Sequence, residues 1–359
     1  MSDASRFTGG GSPLLILIPI YNDWEAVSQL LVNLDRVLIR AGLRARVMLV
    51  DDGSSVPPEE TIGRRAWVAI DQVDLLSLRR NVGHQRAIAI AIAHVYEHVR
   101  PDAVVIMDGD GEDAPEDVPR LARALEGAPD HVIFAERVRR SESALFRFFY
   151  GAYRLAHAML TGIPVRVGNF SIVPARQLER LVVVSELWNH YAAAVFKARL
   201  PRRAVPTERA KRITGQSKMN FVALVGHGLS ALSVHAELIG VRLLVATVFM
   251  VGLLGLLLAG VLGVRLGTSL AIPGWATTVG GLLLVLMFQA VAFAVCFVFL
   301  VLHGRSQPSF IPLRDYPYFV AGARTLGRPA GIDEAAAMGV RRFESRREGA
   351  ERSQWAADT

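Results

Sequence analysis

Asp108-Gly109-Asp110-Gly111-Glu112-Asp113 crowds carboxylates at the end of an apolar run. Their mutual repulsion is a cost that a hard divalent cation would offset. Mg²⁺ and Mn²⁺ prefer oxygen ligands and commonly bridge one or two carboxylates to phosphates. Asp51-Asp52-Gly53-Ser54-Ser55 and Tyr21-Asn22-Asp23 close two further apolar runs in the same way. Acids followed by Gly or Ser are also ordinary turn chemistry, so no cluster alone defines a site. The rival reading of 108–113 is a Ca²⁺ loop, but the distal bidentate Glu of an EF-hand is missing. Gly9-Gly10-Gly11 is not followed by Gly-Lys-Ser/Thr and is no phosphate loop.

Basic residues supply the complementary chemistry. Arg137, Arg139 and Arg140 follow a β-rich run, and a planar guanidinium can bond two phosphate oxygens at once. Arg199, Arg202, Arg203, Arg209, Lys211, Arg212 and Lys218 form a second group with Glu208 as its one acid. Lying just before an apolar span, that group suits anionic headgroups and a lipid phosphate better than nucleic acid. His84, His227 and His235 lack a metal-ligand grouping and read as packing or surface residues.

The elements that must position these groups alternate. Strands are expected over 14–20, 46–50, 73–78, 103–107 and 131–135, with helices over 24–41, 84–99 and 115–125. Such alternation implies an α/β fold, a mostly parallel Rossmann-like sheet covered on both faces. Ligands gather at the carboxyl ends of its strands, where the acidic clusters stand.

The 359-residue chain has 40 Lys+Arg against 33 Asp+Glu, a net charge of +7, and is 52% apolar. So apolar a chain can bury a core, which excludes pervasive disorder. Cys296 is unpaired, which excludes a disulfide scaffold. The apolar excess is concentrated in 243–264 and 276–302, uncharged runs longer than the ~20 residues a helix needs to cross hydrocarbon. The loop between them holds only Arg265, whereas Arg209, Lys211, Arg212, Lys218, Arg242, Arg305 and Arg314 flank them. That bias places both ends of the pair in the cytoplasm. The expected organisation is a flexible 1–12, a catalytic domain over 13–215 and a juxtamembrane interfacial helix over 216–242. Transmembrane helices over 243–264 and 276–302 follow, then a cytosolic tail over 303–359, largely disordered from about 321. No signal peptide is expected at the N-terminus.

Pro19-Ile20-Tyr21-Asn22, Val50-Asp51-Asp52-Gly53-Ser54-Ser55, Arg80-Asn81-Val82-Gly83-His84-Gln85 and Asp108-Gly109-Asp110 occur in that order. The set resembles family 2 glycosyltransferases of the glycosyltransferase A fold. Gly168-Asn169-Phe170, Gly215-Gln216-Ser217-Lys218-Met219 and the C-terminal hairpin are similar to the polyprenyl-phosphate branch, which includes dolichyl-phosphate mannose synthases and undecaprenyl-phosphate sugar transferases. The resemblance implies that Pro19, Tyr21, Asp23, Asp51, Asp52, Arg80, Asn81 and Gly83 line the nucleotide-sugar pocket, together with Asp108. It further implies that Asp108 and Asp110 hold the metal, Mg²⁺ or Mn²⁺, with Glu112 where Gln is usual. Arg137, with Arg139 or Arg140, is expected to hold the acceptor phosphate, and Arg212, Ser217 and Lys218 to lie near it. Asn169 stands where many relatives carry Asp, and an amide cannot act as a base.

The expected activity is inverting transfer of a sugar from a UDP- or GDP-linked donor to polyprenyl phosphate, catalysed by Asp108, Asp110 and Arg137. Membrane lipids are partners, nucleic acid is not, and a homo-oligomer is compatible. Two alternatives belong to other classes: a processive polysaccharide synthase and a non-catalytic nucleotide-binding scaffold. One hairpin offers little channel wall, and the Gln-x-x-Arg-Trp element of such synthases is absent.

Overall fold

The structure is a computed structural model; it describes residues 14–58, 62–63, 65–139, 151, 158–162, 167–213, 221–268, 272, 274–306 and 309–327. The strands are β1 (Leu14–Ile20), β2 (Ala45–Asp51), β3 (Ile70–Leu78), β4 (Ala103–Ile106), β5 (Val132–Arg139), β6 (Val167–Pro174), β7 (Arg202–Glu208) and β8 (Val320–Gly327). The principal helices are α1 (Trp24–Ala41), α2 (His84–His98), α3 (Asp117–Glu126), α4 (Ala175–Leu181), α5 (Tyr191–Lys197), α6 (Phe221–Ser233), α7 (Ala236–Gly267) and α8 (Trp275–Ser306).

All eight strands form one sheet, ordered β7-β5-β6-β4-β1-β2-β3-β8. Only β6 and β8 run against the others. Every residue of β1 is buried, as a central strand with helices on both faces requires. Side chains alternate across the pleat. Leu14, Ile16 and Ile18 join one core with Leu30, Leu34 and Leu38 of α1 and Leu121 of α3. Leu15 and Leu17 join the other, with Ile88 and Ile92 of α2, Leu178 of α4 and Tyr191 of α5. Gly42 ends α1 at φ +66, where its N–H caps Ile39 O and Leu38 O.

Helices α7 and α8 pack as an antiparallel pair, both apolar over long central stretches. Large side chains such as Phe249 (75% exposed) and Phe288 (76%) point outward, an arrangement suited to hydrocarbon rather than water. Two expectations need correction. The interfacial region 216–242 is divided between α6 and the first turns of α7, with 214–220 outside the described residues. The tail is not disordered from 321, because β8 pairs antiparallel with β3. Thr325 Oγ1 donates to Asp74 Oδ1 (2.8 Å) and Tyr316 is buried, which anchors the segment. The expected flexible N-terminus and the chain beyond 327 lie outside the described residues.

Candidate active site at the strand ends

The register Ile20↔Asp51 between β1 and β2, and Leu17↔Ile106 between β1 and β4, brings three carboxyl ends to one edge. Pro19 is buried inside β1, whereas Tyr21 projects with 46% exposure. Asn22 adopts φ +59, a left-handed geometry that Asn tolerates. Its Oδ1 accepts from Ser55 N (2.9 Å) and Val56 N (3.2 Å), and its N–H donates to Ser54 Oγ (3.0 Å). The turn after β1 is thus tied to the turn after β2. Asp23 immediately precedes α1, and its carbonyl accepts from Val27 N.

Asp51 Oδ1 accepts from Ser54 N (2.8 Å), which shapes the turn and leaves the side chain half-buried. Asp52 behaves differently. Its buried carboxylate accepts from Val82 N (2.7 Å) and Gly83 N (2.9 Å). Burial raises its pKa above the ordinary carboxylate value, against those two hydrogen bonds. Asp52 therefore pins the Arg80–Gly83 turn to the strand end, with Arg80 and Asn81 exposed beside it. Gly53 is required twice: φ is +71, and a Cβ there would meet Asn81 N at 2.6 Å and Arg80 C at 2.7 Å.

The acidic loop after β4 is internally braced. Asp113 Oδ2 accepts from Asp108 N (2.9 Å), and Asp110 Oδ1 accepts from Glu112 N (2.9 Å). Segment 209–213 lies along this loop. Arg212 Nη2 donates to Asp110 Oδ2 (2.6 Å), and Arg209 pairs with Glu112. Burial raises the Asp110 pKa, as do the charges of Asp108 and Glu112; the Glu112 N–H and Arg212 act against them.

His84 heads α2 with its Nε2 3.1 Å from Asp108 Oδ1, and Asn169 Nδ2 stands 3.2 Å from the same nitrogen. Burial lowers the pKa of His84, but the charge and hydrogen bond of Asp108, aided by Asp113 and Asp110, raise it overall. His84 is an exposed residue, as expected, but its contact with Asp108 also places it in the candidate site. The available signal was its place within the Arg80–Gln85 motif. Asn169 Oδ1 in turn accepts from Gln85 Nε2 (3.2 Å), and Gln85 Oε1 from Tyr191 N (2.8 Å).

Arg137 and Arg139 lie on β5, in register with Thr207 and Glu208 of β7; their side chains are outside the described set. Arg140, Ser217 and Lys218 also lie outside the described residues. Among those described, no three His, Cys, Asp or Glu side chains converge as metal ligands. In kind, Asp108, Asp110 and Glu112 suit a hard divalent cation, because they form an oxygen-donor set carrying excess negative charge. In the arrangement present, Arg209 and Arg212 supply the counter-charge.

Residues 15–180 match the family model described as Glycosyl transferase family 2. An undecaprenyl-phosphate 4-deoxy-4-formamido-L-arabinose transferase from Edwardsiella ictaluri is 27% identical over 222 residues, covering 58% of this chain and 64% of that one. Its namesake from Klebsiella pneumoniae is 28% identical over 221 residues, covering 58% and 63%. The chain thus matches under two thirds of the length of these curated relatives. Among solved structures, glucosyl-3-phosphoglycerate synthase from Mycobacterium tuberculosis is similar with a TM-score of 0.44 and 17% identity, covering 64% of this chain and 81% of that one.

Proposed function

We propose, from the match of residues 15–180 to the glycosyl transferase family 2 model, that this chain moves a sugar from a nucleotide-diphosphate donor to polyprenyl phosphate. The observation that carries this reading is the meeting of Tyr21–Asp23, Asp51–Ser55 and Asp108–Asp113 at one sheet edge. The curated relatives are named for transfer of a sugar to undecaprenyl phosphate, which favours a lipid phosphate as acceptor.

In this reading Asp51 and Tyr21 flank the nucleoside, and Asp52 keeps the Arg80–Gly83 turn closed against it. Asp108 and Asp110 hold Mg²⁺ or Mn²⁺, with Glu112 adjoining. Such a cation, when bound, neutralises the departing diphosphate as a Lewis acid. Arg137 and its neighbours on β5 orient the acceptor phosphate, assisted by Arg212, Ser217 and Lys218. No general base is needed, because a phosphate monoester is already anionic at neutral pH. Asn169 is compatible with that requirement. Alignment and charge stabilisation then carry the reaction.

The reading extends to the membrane. Strand β8 lies after α8 yet pairs with β3, which lies before α7. A chain that leaves the domain and returns to it must cross a bilayer an even number of times. With the basic flanks, this supports a catalytic domain and both ends of the hairpin on the cytosolic face of the cytoplasmic membrane.

The test is incubation of the full chain with a panel of nucleotide sugars, Mn²⁺ and a short polyprenyl phosphate, with mass spectrometry of the lipid. A lipid bearing one sugar is expected, and Asp110→Ala is expected to abolish it while staying folded and membrane-bound. Absence of a glycosylated lipid with every donor, or undiminished turnover in Asp110→Ala, would overturn the reading.

A further inference from the structure

Segment 209–213 is fastened to the acidic loop by backbone and side chains together. Ala210 N donates to Glu112 O (3.1 Å) and Ile213 N to Asp110 O (3.0 Å). The two side-chain contacts repeat the attachment, Arg209 on Glu112 and Arg212 on Asp110. The Ile213 side chain fills the space beside Gly111, whose φ is +81 and where any Cβ would collide with it. The result is a strap that continues in sequence through 214–220 into α6.

The contacts of Arg212 are incomplete. Its Nε is buried, 3.7 Å from Glu112 Oε1, and makes no hydrogen bond among the described residues. A guanidinium with an unused N–H is under-satisfied where it sits and retains capacity for an additional anion. Its Nη2 meanwhile engages Asp110 Oδ2, an oxygen that a hard cation would use. A guanidinium and a divalent cation on one carboxylate also repel each other, and partial burial limits the screening.

We infer that Arg209 and Arg212 are a built-in counter-charge that holds the 209–213 strap on the acidic loop, and that a divalent cation entering at Asp108 and Asp110 displaces Arg212 and loosens the strap. The inference rests on the proposed reading of Asp108 and Asp110 as the cation-holding pair. It assigns Arg212 two successive anionic partners, Asp110 before the cation enters and a phosphate afterwards. The strap thereby couples occupation of the acidic loop to the segment that leads into the membrane helices.

The test uses the full chain in detergent, with Mn²⁺ alone as the probe. Free Mn²⁺ is titrated by electron paramagnetic resonance, and hydrogen–deuterium exchange is followed on the peptide carrying Ala210 and Ile213. Arg212→Gln is expected to bind Mn²⁺ about tenfold more tightly, since one charge-assisted contact is worth roughly a decade in an equilibrium constant. Arg212→Lys, which keeps the charge, stays near the parent. Saturating Mn²⁺ is expected to speed exchange at Ala210 and Ile213 in the parent. Mn²⁺ affinity unchanged or weakened in Arg212→Gln, or exchange indifferent to Mn²⁺, overturns the strap. If neither parent nor Arg212→Gln binds Mn²⁺, the cation-holding pair itself is lost. A parent that binds Mn²⁺ over an unmoved strap removes this inference alone.

Discussion

Asp52 sits among the residues that line the donor pocket by resemblance, yet both its oxygens are engaged by the Val82 and Gly83 amides. Its contribution is to hold the Arg80–Gly83 turn in place. Asp52→Ala leaves two buried or half-buried N–H groups without their acceptor, which typically costs about 1–3 kcal/mol. Thermal unfolding should register that loss, and nucleotide affinity should fall with it. Asp52→Ala unfolding like the parent would show that the turn does not need this anchor. Gly53→Ala should be at least as damaging, because the added Cβ meets backbone rather than a movable side chain. The acidic positions were legible in the sequence because carboxylates at strand ends are conspicuous and the sheet rule says where they meet. His84 stands in the Arg80–Gln85 motif, but its pairing was not legible, because it depends on Asp108, contributed by the loop after β4. Arg212 is expected near a phosphate by resemblance, but its pairing with Asp110, 102 residues earlier in the chain, has no local signature.

At the scale of elements, β1 to β5 and α1 could be read from runs and periodicity because burial imposes an apolar sequence. The interior strand β6 and the two edges could not. Strand β7 carries Arg202, Arg203, Pro206 and Glu208, and β8 carries Gly322 and Arg324. Charge and proline are what protect an edge from further pairing, and they also erase the strand pattern. The β8 end is held partly by titratable groups on α2. His94 lies 4.6 Å from the His98 ring and 6.0 Å from the Tyr316 ring, centroid to centroid. Tyr316 OH bonds Glu97 Oε2 (2.7 Å) and faces His98 Nε2 (2.8 Å). Burial, with the charge of His98 and against that of Asp74, lowers the His94 pKa from 6.5 to about 4. Between those values the unfolded chain takes up a proton that the folded chain refuses, so stability falls as pH drops through this window and levels off below it. Linkage sets the loss at no more than about 3 kcal/mol, reduced by the partial exposure of the ring. His94→Gln should flatten the dependence of melting temperature on pH between about 4 and 6.5. An unchanged slope in that variant would assign the acid sensitivity to other groups.

Over the whole molecule, the lengths of α7 and α8 say how the sheet domain is carried. Each helix has 32 residues, which at 1.5 Å per residue makes about 48 Å, against a hydrocarbon core of about 30 Å. The surplus must protrude or tilt. At the start of α7, Glu237 and Arg242 are polar residues that hydrocarbon disfavours, and Arg242 Nη1 donates to Met159 O (2.6 Å) of the domain. The surplus therefore belongs on the domain side, where the helix pair acts as a short stalk. Pairing of β8 with β3 fixes both roots of that stalk on one face, and Thr268, just past the end of α7, must then lie at the other. The lone Cys296 lies within α8 and is replaced by Ser to give a cysteine-free background. In that background Thr268→Cys should react with a membrane-impermeant maleimide only in right-side-out vesicles. Ala323→Cys, exposed on β8, should react only in inverted ones. Labelling of both positions from the same face would mean that the two helices do not cross, and the pair would then lie along the surface with its apolar sides against lipid headgroups. Opposite labelling with the faces exchanged would keep the hairpin but put the sheet domain on the face opposite to the proposed one.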